Sequence, residues 1–215
     1  MALAGIATAG AAGLGERVVV AEDNTCGLDE LPGLVRSEFT HLENAMPTDL
    51  RVIRRQLGRT PRGDVLVALR CPHGRPAVIL TVPLGRPGRA LPPIIWLSCP
   101  YAAREMGRLE SEGAAKEFDC RLESDRELAG RYMEEDERFA RVQDTLARSA
   151  LGDGFADKLG RRGVAGGRRG TVKCLHAHLS YQLASGRGLV GQWCLERLRE
   201  RAGNWCEEIP PACVD

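Results

Sequence analysis

Aromatic residues are scarce in this chain: three Trp, three Tyr and four Phe make up 5% of its 215 residues. Binders of single-stranded nucleic acid stack bases on several such rings, so that class is not signalled. An excess of one charge is missing too. Thirty Lys and Arg against 29 Asp and Glu leave a net +1. That balance argues against a dedicated nucleic-acid or membrane-surface protein, while leaving room for local patches. No apolar run approaches the ~20 residues that cross a bilayer, so no membrane partner is expected. There is no Cys-x-x-Cys pair, no Gly-x-x-x-x-Gly-Lys-Ser/Thr loop and no internal repeat. The first 15 residues are Ala- and Gly-rich but lack a basic n-region, and they read as a disordered leader rather than a cleaved signal.

What the chain does have is size and cysteine. A hydrophobic content of 43% is enough to build one real core. Eight cysteines, at 26, 71, 99, 120, 174, 194, 206 and 213, are many for a cytosolic protein. The even count permits four disulfides, but the absence of a secretory signal weakens that reading. Metal ligation, buried thiols acting as small hydrophobes, and one local disulfide near the C-terminus stay open.

Residues 1–46 read as flexible leader and connector, 47–203 as a single α+β domain, and 204–215 as a C-terminal tail. Thr48 caps a short helix through Leu50, Ile53 and Leu57 that stops at Gly58. Val65–Leu69, Ala77–Val82 and Ile94–Leu97 are short β-branched runs. With a turn at 70–76 and no helix between them, they predict a small, mainly antiparallel three-stranded sheet over about 64–98. Helices are expected at 101–113, from a capping box at Ser124 and Glu127 to Ala150, at 171–185 with Thr171 as cap, and at 190–202. Glu134, Glu135, Asp136, Glu137 and Arg138 read as a solvated helix face.

The stretch Thr171-Val172-Lys173-Cys174-Leu175-His176-Ala177-His178 carries the chemistry, because only there do a thiol and imidazoles crowd together. On a helix, Cys174 and His178 are one turn apart, the i,i+4 spacing that lets two ligands meet one metal. His176 falls at the edge of the apolar face. Cys71 and Cys99, each at a strand end before a proline, could add two thiolates. The metal site would then be Cys71, Cys99, Cys174 and either His176 or His178, holding zinc or an iron–sulfur cluster. A second reading uses Arg168, Arg169, Thr171 and Lys173 at the helix N-terminus to bind a phosphate-containing ligand, a nucleotide or RNA. A third makes Cys174 a nucleophile with His176 or His178 as base, although no acid is evident to orient that base.

Gln56-Leu57-Gly58-Arg59-Thr60-Pro61-Arg62-Gly63, Arg70-Cys71-Pro72, Trp96-Leu97-Ser98-Cys99-Pro100 and Val172-Lys173-Cys174-Leu175-His176 occur here in one order. That order resembles the uncharacterised bacterial family catalogued as domain of unknown function five-hundred-one, over roughly 47–195. The resemblance implies a bacterial, cytoplasmic protein and brings no established activity. It also implies that Cys71, Cys99, Cys174 and His176 belong to the family pattern, with His178 less definite. This chain reads Gly85-Arg86-Pro87-Gly88-Arg89 where the family usually has a longer acidic-Gly-Thr-Pro turn.

Overall fold

The computed structural model describes residues 28–61, 63–82, 94–159, 162–165, 170–202 and 211–214. The chain is α+β, with one antiparallel sheet carrying helices on both faces. Strands β1 (Glu43–Asn44), β2 (Asp64–Arg70), β3 (Pro76–Val82) and β4 (Ile95–Leu97) lie in that order across it. Among the described residues the sheet therefore has four strands and not three. β1 spans two polar residues, too short to show any alternation in sequence.

The β2–β3 hairpin is in register through Val65↔Thr81, Leu66↔Leu80 and Val67↔Ile79, then shifts between Val67 and Leu69. Ala68 is the additional residue of that bulge. Every residue of β3 is buried, which explains its unbroken Ala-Val-Ile-Leu-Thr-Val run: both faces are covered. Leu66, Val78 and Leu80 face the main core, while Val65, Val67 and Ile79 pack with Ala45 and Ile53 on the other side. Each fully buried aliphatic side chain of this kind contributes about 1.5–3 kcal/mol.

Ile53 belongs to α2 (Pro47–Leu57), which ends in the left-handed Gly58 at φ 66°. The helix starts at Pro47, not at Thr48, because Asp49 accepts the Met46 N–H at 3.0 Å. Leu31, Val35 and Phe39 are also buried. Residues 28–46 thus pack into the domain, with Val35 on the short helix α1 (Gly33–Glu38). At the other end Pro211–Cys213 forms a 3-10 turn, and Gln56 of α2 donates to Cys213 Sγ at 3.1 Å.

The main core lies between the sheet and the remaining helices. These are α3 (Pro100–Ser111), α4 (Ala114–Ser124), α5 (Arg126–Leu151), α6 (Asp153–Leu159), α7 (Leu175–Ser185) and α8 (Leu189–Ala202). Helix α4 fills a stretch left unassigned in the sequence, separated from α3 by Gly113 at φ 88°. Asp125, not Ser124, caps α5, accepting the Glu127 and Leu128 N–H groups at 2.9 and 3.1 Å.

Helix α7 is the central element. Residues on all its sides are buried, including Leu175, His178, Ser180, Tyr181 and Ala184. Small residues let its neighbours close in, and Phe139 of α5 meets Tyr181 edge-on at 5.0 Å. The buried hydroxyls of Ser180 and Ser185 donate to carbonyls one turn back, at 2.7 and 2.6 Å. No helix among the described residues is long and apolar enough to cross a membrane.

Candidate metal centre

The structure corrects the start of the central helix. It begins at Leu175, with Cys174 in the capping position at φ −118°, ψ 107°, and Thr171 lies outside it. The cause is tertiary: the N–H groups entering the helix find carboxylates on two other helices. Val172 donates to Asp119 Oδ1 and Leu175 to Glu110 Oε1, both at 2.7 Å. Glu110 thereby does from the end of α3 what a capping side chain does within one helix.

The same carboxylate meets an imidazole. His176 Nδ1 lies 3.1 Å from Glu110 Oε1, and His176 Nε2 lies 2.9 Å from the Ala103 carbonyl oxygen. Ala103 and Glu110 are seven residues apart on α3, two turns along one face, so the ring is held at both ends by that helix. A carbonyl only accepts, so Nε2 carries a proton and Nδ1 faces the carboxylate and the thiol. Hydrogen bonding to Cys174 and to Glu110 outweighs burial and raises the His176 pKa to about 9. One ligand atom each from Glu110, Cys174 and His176 lies within 4.8 Å of the other two. All three residues are partly exposed, with about a third of the His176 and Glu110 side chains reaching solvent.

His178 goes elsewhere. It is 3% exposed, with Nε2 3.4 Å from the Tyr132 hydroxyl. Tyr132 donates its own proton to the Thr171 carbonyl at 3.1 Å, so it accepts from His178. Burial drives the His178 pKa down to about 4 and keeps the ring neutral. The i,i+4 argument for pairing it with Cys174 presumed a helix that already contained Cys174. With Cys174 ahead of the first turn, its thiol meets His176 instead.

Cys71 and Cys99 do not join Glu110, Cys174 and His176 within that 4.8 Å grouping. Cys71 is 8% exposed and its N–H closes the hairpin turn on the Arg75 carbonyl at 2.8 Å. Cys99 caps the start of α3, about 16 Å along the axis from Glu110. Burial pushes the Cys213 thiol up, and nearby Cys99 and Cys71 add to that shift, so these three thiols lie in one region.

Of the anion-binding candidates, Arg168 and Arg169 lie outside the described residues. Thr171 is half-buried and Lys173 exposed, and the nearby Val172 and Leu175 N–H groups are already held by Asp119 and Glu110. Asp136, read as solvated, is 2% exposed and accepts the Val164 and Gly170 N–H groups at 2.9 and 3.4 Å. Its neighbour Glu135 accepts the Leu189 N–H at 2.6 Å.

Glu110 is the site residue that the sequence reading missed. It lies sixty-four positions before Cys174, but a weak signal existed: on a helix it falls about 40° from the core residue Met106.

Such an arrangement of thiol, imidazole and carboxylate on an α+β scaffold defines a protein with a small, solvent-reachable polar centre. The sequence model of the proteins of unknown function DUF501 matches residues 67–196, more than half of the chain, and the chain belongs to that family. No curated protein and no solved structure matches it.

Proposed function

We propose that this member of DUF501 is a cytosolic bacterial metal-binding protein. In this reading Glu110, Cys174 and His176 hold one divalent ion, with zinc the best fit to the mixed sulfur, nitrogen and oxygen donors. The convergence of three ligand atoms within 4.8 Å carries the reading. The other ring nitrogen supports it: metal-bound histidines usually donate their other N–H to a carbonyl or carboxylate, as His176 Nε2 does to Ala103. The proton on Nδ1 then stands where the ion would bind, and binding releases it.

Three protein ligands with solvent access leave a fourth position for water or a small ligand, a pattern of catalytic and sensing sites more than of closed structural ones. An iron–sulfur cluster fits less well, because it needs more thiolates than Cys174 alone. Phosphate binding at the same helix start is disfavoured by the carboxylates already there.

The test is cobalt and zinc titration of the metal-free full chain. One equivalent is expected, with a thiolate-to-cobalt absorption band that Cys174→Ser abolishes and His176→Ala weakens. Stoichiometry unchanged in both variants would overturn the assignment.

A further inference from the structure

Helices α7 and α8 form a hairpin whose register is fixed by two glycines. A Cβ on Gly191 would fall 2.3 Å from the His178 carbonyl oxygen and 2.5 Å from Gln182 Cβ. One on Gly188 would meet Tyr181 and Gln182 at 3.3 and 3.5 Å. Position 188 therefore faces 181–182 and position 191 faces 178, an antiparallel pairing. Carried one further turn, about 4.5–6 Å along each helix, this register sets Cys194 against Leu175 and Cys174.

The other contacts of α8 agree. Arg197 pairs with Glu117 of α4 at 2.5 Å and Arg201 pairs with Glu112 just beyond α3. This side of α8 thus lies along the end of α3 where Glu110 sits. Cys194 is fully buried and Cys174 half-buried; burial first, then the nearby Glu110 and Cys174, push the Cys194 thiol up.

We propose that Cys174 and Cys194 form a redox-active dithiol, which joins across the α7–α8 hairpin on oxidation and withdraws Cys174 from the metal centre. The effect on metal rests on the metal reading; the dithiol itself does not. The oxidant is a low-molecular-weight disulfide, RSSR. Cys174, the accessible thiol, loses its proton and attacks one sulfur, forming Cys174–S–S–R and expelling RS⁻. Cys194 then loses its proton and attacks Cys174 Sγ, which expels the second RS⁻. The two protons end on the two departing thiolates, so the chain loses two hydrogens and RSSR becomes two RSH. A disulfide spans Cα atoms about 4.4–6.8 Å apart, and the close approach at Gly191 brings the helices toward that spacing.

The experiment treats reduced, metal-free full-length protein with oxidised glutathione under native conditions, then maps its peptides without reduction. The expected result is an intact mass lower by two hydrogens and a linked Cys174–Cys194 peptide pair. Cys194→Ala should stop at glutathione held on Cys174; should that variant not fold, the wild-type map decides alone. Glutathione remaining on wild-type Cys174, or linkage confined to other cysteines, overturns the dithiol. A zinc-loaded arm separates the two ideas. Linkage slowed by zinc supports both, and linkage at an unchanged rate leaves the dithiol standing while the metal reading falls.

Discussion

Glu110 Oε1 accepts the Leu175 N–H at 2.7 Å and lies 3.1 Å from His176 Nδ1, so one carboxylate starts a helix and, after Cys174, helps to charge an imidazole. The two roles reinforce each other. The helix start fixes the carboxylate, and the fixed carboxylate favours the imidazolium.

Glu110→Gln keeps an oxygen for Leu175 but removes the charge. In the metal-free protein His176 titrates at about 9 in the fold, above ~6.5 in an unfolded chain. Its stabilisation is therefore complete below pH 6.5 and is lost as the pH rises through 9. The variant should titrate lower, as followed by the His176 ring proton resonances. Its loss of stability should be larger at pH 6 than at pH 10 in denaturant unfolding.

His178 has the opposite sign. Its folded pKa is lowered to about 4 by burial, so below pH 6.5 the unfolded chain takes up a proton that the folded one refuses. Stability should fall between pH 6.5 and 4 by roughly 3 kcal/mol from this group, then level off. His178→Leu should flatten that part of the curve, measured by unfolding at several pH values.

Gly191→Ala places a methyl group 2.3 Å from the His178 carbonyl oxygen. The helix pair must separate, at a cost of about 1–3 kcal/mol or more. A lowered melting temperature is expected, and Gly154→Ala, with nothing within 4 Å, serves as the control.

Asp136→Ala leaves the Val164 and Gly170 N–H groups without the carboxylate that now accepts them. Val164 N–H is buried, so the loss should amount to roughly 2–4 kcal/mol. Amide hydrogen exchange should show Val164 losing protection more than residues of β3.

Much of the architecture was legible because it follows from local pattern. The runs Val65–Leu69 and Ala77–Val82 are β-branched, continuous and close together, which leaves antiparallel pairing as the simplest way to bury them. Gly58 and Gly113 marked helix ends because the left-handed conformation they adopt is costly for other residues. β1 was not legible, since Glu43 and Asn44 are two polar residues with no alternation, paired with Val67 and Leu66 across the sheet. Nor was the role of Asp136, whose sequence neighbours Glu134, Glu137 and Arg138 do belong to the more open side of α5.

Local pattern set the α+β class, the hairpin at its centre, and the crowding of Cys174 with His176 and His178 within one turn. Long-range packing set which histidine the thiol meets and which acid lies beside them. Spacing along a helix sets directions only once the helix has begun. Its start here was fixed by Glu110 from another helix, a contact that no local pattern encodes. That same start leaves His178 buried beside Tyr132, while Glu110 joins Cys174 and His176 within 4.8 Å.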